Sequence, residues 1–88
     1  MKALIYISLR EEVPDNTGRL IAEKLYEQGF SEVINAKVGK MIELELDGAA
    51  GVETQRRLES MCSMLLADTA IEYYQIIKII EERWESQL

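Results

Sequence analysis

Cys62 is the chain's one thiol, and no histidine accompanies it. Without imidazole, Ser-His-Asp triads, Cys-His pairs and most zinc sites are excluded, so any reaction would rest on carboxylates, lysines, tyrosines or Cys62. Cys62 stands between Met61 and Met64 in an apolar helical repeat, with no base near it in sequence. A thiol so placed packs as a small hydrophobe. Glu43, Glu45 and Asp47 recur at every second residue. On a strand they share one face, where a cation is geometrically possible, but the same spacing makes an ordinary wet face. Val38-Gly39-Lys40 has a glycine and a lysine, as phosphate loops do, but it lacks the longer glycine run and opens no helix. It reads as a turn that presents a lysine. Tyr73, Tyr74 and Trp84 suit either a core or an interface anchor. No catalytic residue, cofactor-binding residue or metal ligand is expected in this chain.

The elements that would position these residues belong to one domain, residues 1–88, with 81–88 as a tail of unassigned structure. A chain of 88 residues is long enough for a two-layer core but only marginally stable alone, which favours association. The net charge of −6 argues against nucleic acid, since phosphate binding needs clustered basic residues and Arg56-Arg57 is the only adjacent pair. One cysteine forms no internal disulfide. The apolar opening soon meets Arg10, Glu11 and Glu12, and no small-residue cleavage site follows, so it is not a signal peptide. No apolar run approaches about 20 residues, so no transmembrane helix is expected, and a cytoplasmic location is the default.

Residues 2–9 alternate as a strand, with Ala3, Ile5, Ile7 and Leu9 on one face. Leu4 and Tyr6 on the other face suggest apolar neighbours on both sides. Pro14 breaks the pattern, and Asp15-Asn16-Thr17-Gly18 supplies turn formers and caps. From 17 or 18 to 28 the spacing of Ile21, Ala22, Leu25 and Tyr26 predicts a helix, stopped at Gly29. Residues 33–38 and 41–47 read as the second and third strands, and Val38-Gly39-Lys40 as the hairpin or bulged bend joining them. A Gly/Ala-rich loop follows, then a second helix over 52–66, with Leu58, Met61, Cys62 and Leu65 as its buried stripe. The last segment is open on pattern alone. Thr69-Ala70-Ile71-Glu72 fits a helix-capping box, yet the density of Ile and Tyr favours a strand.

The order strand–helix–strand–strand–helix–strand is that of an α+β, ferredoxin-like βαββαβ two-layer sandwich. It has a four-stranded antiparallel sheet and two helices on one face. Completing the strand count favours a strand in the last segment. The other sheet face, carrying Leu4 and Tyr6, is then an association surface.

Val38-Gly39-Lys40-Met41-Ile42-Glu43-Leu44 resembles the hairpin motif of the PurS family, the small subunit of phosphoribosylformylglycinamidine (FGAM) synthase. Residues 61–74, a Cys-containing helix ending in Leu-Leu-Ala-Asp before Ile-Glu-Tyr-Tyr, resemble that family's second motif. Val13-Pro14-Asp15-Asn16-Thr17-Gly18 looks like its Asp-Pro-x-Gly turn. Asp68 and Tyr73 stand where the family usually has Asn and Asp, and the resemblance spans roughly residues 2–80. It implies a non-catalytic subunit that self-associates as a homodimer or homotetramer. Such a subunit bridges the large synthetase subunit (PurL) and the glutaminase subunit (PurQ) of purine biosynthesis and supports ammonia transfer between them. ATP and Mg would be used by the large subunit, with no cofactor in this chain. The residues expected at subunit interfaces are Gly39 and Lys40 at the hairpin, and Glu72 and Tyr74 after the second helix. Gly39 would permit close approach, Lys40 and Glu72 would pair with partner groups, and Tyr74 would bury its ring.

A second reading is a ferredoxin-like dimer that senses a small molecule between subunits, marked by ligand-dependent thermal stabilisation. A stand-alone dimeric barrel enzyme is disfavoured by the missing histidine. Acylphosphatase chemistry is disfavoured because Arg10-Glu11-Glu12-Val13-Pro14 is a poor anion cradle.

Overall fold

A computed structural model describes residues 1–48 and 51–80. Its elements are β1 (Lys2–Leu9), α1 (Asn16–Glu27), β2 (Gly39–Glu45), α2 (Val52–Met61), a π turn (Cys62–Leu66) and β3 (Glu72–Ile80). The described strands form one antiparallel sheet in the order β2-β1-β3. The final segment is a strand. The tail 81–88, with Trp84, lies outside the described residues.

The core follows from β1. Ala3, Ile5 and Ile7 point to one side and are buried against Leu58, Cys62 and Ala67. Ile42 and Leu44 of β2 and Tyr74, Ile76 and Ile79 of β3 complete the layer. The spacing of the β3 residues shows a bulge. Ile5 pairs with Ile76 and Leu4 with Lys78, so Ile77 is the extra residue. Strict alternation from Tyr74 through Ile76 would drive Lys78 into the core. The extra residue reverses the parity, turning Lys78 out and Ile79 in.

Three features depart from the sandwich expected from the sequence. First, residues 33–38 join no ladder, so the sheet has three strands among the described residues. Second, Val38-Gly39-Lys40 is not a hairpin. Gly39 opens β2, and the described glycines with positive φ are Gly29 and Gly48, so nothing at Gly39 reverses the chain. Residues 33–38 instead lie along the start of α1. Val38 N–H donates to Asp15 Oδ2 at 2.8 Å, while Asp15 Oδ1 caps α1 by accepting from Gly18 N–H, also at 2.8 Å. Lys37 Nζ donates to the Leu9 carbonyl at 3.0 Å and stands 5.4 Å from the Tyr73 ring centroid. Third, the two helices do not share one face. α2 covers the core side of the sheet, whereas α1 gives no side chain to the core cluster and leaves Leu20, Ile21 and Tyr26 exposed.

These departures make a thin molecule. Its extents are 48 × 35 × 15 Å and its radius of gyration is 17.0 Å. A compact chain of this length has about 12 Å.

Asp15 is the joint between α1 and residues 33–38. The Val38 N–H bond, then the Gly18 N–H bond, hold its carboxyl below the ordinary value of 3.8, with Lys37 adding to the effect against slight desolvation. A carboxylate depressed in the folded state stabilises above its unfolded pKa, and that contribution is lost as pH falls through the folded value. Thermal melts taken from about pH 5 downward should therefore fall more steeply for the wild type than for Asp15→Asn. Parallel acid slopes would remove Asp15 from this role.

Candidate functional site

Register brings the sequence-selected residues to one end of the sheet. Ile7 pairs with Lys40 on one side and with Tyr74 on the other, so Lys40, Ile7 and Tyr74 form a row on the α2-facing side. One rung further, Leu9 pairs with Glu72. Gly39, Lys40 and Glu72 line one depression of about 190 Å³ with Val38 and the end of β1. Tyr74 stands beside it, half-buried and packed on the core.

The individual roles differ. Gly39 faces the opposite side of the sheet, where a Cβ would run into the Tyr6 ring, so its close approach is made within the chain. Tyr6 lies over Gly39 because nothing larger fits beneath it. Glu72 reaches back to its own loop, where Oε1 accepts from Asp68 N–H at 2.8 Å. The Ile71 and Glu72 N–H groups both donate to the Asp68 carbonyl. The capping-box pattern of residues 69–72 thus frames a tight turn into a strand. Lys40 is exposed.

Other candidates resolve simply. Cys62 is fully buried, and burial first, then Glu59, push its thiol up, away from the nucleophilic thiolate. Glu43 lies 3.6 Å from Lys2 on the outer sheet face. No group of three potential metal ligands occurs among the described residues. No described helix is long and apolar enough to cross a membrane.

The sequence reading missed one feature of this end. Val38 walls the depression, with its N–H held by Asp15 and the neighbouring Lys37 bonded to the Leu9 carbonyl. The only signal was the Asp15 to Gly18 turn, which reads as a cap for α1 and nothing more.

The match to the family model "PurS: Phosphoribosylformylglycinamidine (FGAM) synthase" covers residues 2–79. The chain belongs to the PurS family. The PurS subunit of FGAM synthase from Synechocystis sp. is 37% identical over 80% of this chain and 70% of its own length. That of Bacillus subtilis is 32% identical over 84% and 87%. The crystal structure of Methanocaldococcus jannaschii PurS, described as one of the subunits of formylglycinamide ribonucleotide amidotransferase, superposes with a TM-score of 0.77. It is 32% identical and covers 91% of this chain and 98% of that one. The PurS fold is thus a small α+β unit with two helices and an antiparallel sheet, as seen here.

Proposed function

We propose that this chain is the small, non-catalytic subunit of FGAM synthase in purine biosynthesis. It joins the large ATP- and Mg-using synthetase subunit (PurL) to the glutaminase subunit (PurQ) and supports ammonia transfer between them. The observation that carries this reading is the family match over residues 2–79. A chain without histidine, whose thiol is buried, fits a bridging role. Lys40 and Glu72 at the end of the sheet would meet a partner, Lys40 through a carboxylate and Glu72 by its remaining acceptor capacity. Tyr74 holds the wall behind them, and Gly39 keeps β2 flat under Tyr6.

Self-association belongs to the same proposal. Among the described residues β2 and β3 are the edge strands, and Met41, Tyr73 and Ile77 stand exposed on the side of the sheet away from α2 or at its bulge. A second or further copy, giving a homodimer or homotetramer, would supply the cover that three strands among the described residues, with α1 outside the core cluster, leave open.

Reconstitution with the matching synthetase and glutaminase subunits tests the assignment. Glutamine-dependent FGAM formation should require the chain, while ammonia-dependent formation should proceed without it. Equal glutamine-dependent turnover without the chain would overturn the role. In the same assay, Lys40→Ala, Glu72→Ala and Tyr74→Ala are expected to weaken assembly, with about tenfold in affinity for the most central of them. Three folded variants with unchanged affinity would move the interface elsewhere.

A further inference from the structure

The outer side of α2 has no part in the depression at Lys40, and of its residues Met61 alone also packs against the core margin. Glu53, Arg56, Arg57, Ser60, Met61 and Met64 are linked by spacings of three and four, making one stripe along α2 and into the π turn. They line a groove of about 460 Å³. Arg57 and Met61 also wall a second depression, which continues past Leu46 to Met1 at the end of the sheet. The π turn adds to this surface. It keeps Met64 and Leu65 out of the core, each 83% exposed. Short π segments inside helices recur at functional positions.

We infer that this stripe docks a protein segment of a synthase partner subunit, one that carries carboxylates set among aliphatic side chains. Charge complementarity selects the occupant. The chain's net charge is −6, yet its one adjacent basic pair stands here. Among the described residues Arg57 has no ion-pair partner, and Arg56 has only Glu53 at 3.8 Å on the open surface. So exposed a pair contributes little to the fold. Two guanidiniums can fork onto carboxylates, and two unbranched thioethers fit irregular aliphatic surface. α2 rests on the sheet through Leu58 and Cys62, so the stripe is presented on a rigid base. This inference rests on the FGAM synthase assignment and names where one of its contacts lies.

The test is binding of the matching synthetase and glutaminase subunits, each by calorimetry at two salt concentrations. The probes are the wild-type chain, Arg56→Glu/Arg57→Glu, Met64→Asp, and a control change, Lys24→Glu, on the exposed side of α1. The stripe variants should lose about tenfold or more in affinity for one of the two subunits, and the charge-reversed variant should lose the wild type's salt dependence. The control should bind that subunit as the wild type does. Stripe variants that keep the wild-type melting temperature and oligomer mass yet bind both subunits normally would overturn the inference while leaving the assignment standing. A wild-type chain that binds neither subunit would overturn both. If the stripe variants change the oligomer mass of the chain alone, the occupant is a second copy and the inference fails.

Discussion

Leu58→Ala is expected to destabilise the fold by about 2–5 kcal/mol, whereas Leu65→Ala should stay within about 0.5 kcal/mol of the wild type. Leu58 is fully buried beneath the sheet, where truncation removes apolar contact and leaves a cavity. Leu65 is mostly in water. In a domain of this size each kcal/mol moves the melting temperature by roughly 4–8 °C, so the first variant should melt at least about 8 °C lower. The comparison needs fixed protein concentration, since association adds to apparent stability. Leu66→Ala, whose side chain packs on the core, should also be costly. Equal losses at Leu65 and Leu66 would mean that the helix keeps α geometry to its end.

That contrast marks where the sequence pattern stops being readable. Leu58, Met61, Cys62 and Leu65 make a regular α-helical stripe, and the first three do face the core or its margin. From Cys62 the helix widens, with Ala67 N–H donating to the Cys62 carbonyl five residues back at 2.9 Å. A wider turn sets Leu66 above Cys62 and swings Leu65 outward. Nothing in Cys-Ser-Met-Leu-Leu signals the change, because adjacent leucines make either geometry equally apolar. The ambiguity of the last segment has a similar origin. Tyr74, Ile76 and Ile79 are inward, and the bulge at Ile77 breaks the strict alternation that would have marked a strand, leaving the capping-box pattern of residues 69–72 to compete with it. β1 was fully legible because its alternation is unbroken and its inward residues are the centre of the core.

The second strand was misread for a different reason. Residues 33–38 do alternate, but alternation reports only that a segment is extended with unlike faces. Whether it pairs depends on a reversal at its end, and Gly39 makes none. Of the four site residues, the sequence places Gly39 and Lys40 in one segment and Glu72 and Tyr74 in another, and does not bring the two pairs together. Lys40 and Glu72 share a depression because their strands flank β1, a non-local fact of topology. Glu72's bond to its own loop and Gly39's contact with Tyr6 are equally non-local or side-chain specific.

Gly18→Ala is the second large expected effect, and its sign is the informative part. Within a helix, replacing glycine by alanine ordinarily stabilises by up to about 1 kcal/mol. Here a Cβ at Gly18 would land on the Ala36 carbonyl and crowd the Asp15 carboxyl. Both are fixed, the first as backbone and the second by its bonds to Gly18 and Val38 N–H. Relief requires residues 33–38 to move off α1, so the net change is expected to be a loss of about 1–3 kcal/mol. The damage should be local as well as global. Hydrogen exchange at the Val38 amide should accelerate more than at amides of β1, because the Asp15 bond is lost before the sheet opens. Since Val38 leads directly into Gly39 and Lys40, partner binding through Lys40 should weaken in this variant, although the substitution touches neither Lys40 nor the stripe on α2. A Gly18→Ala protein that melts higher than the wild type, with Val38 exchange unchanged, would show that residues 33–38 do not lie against the first turn of α1.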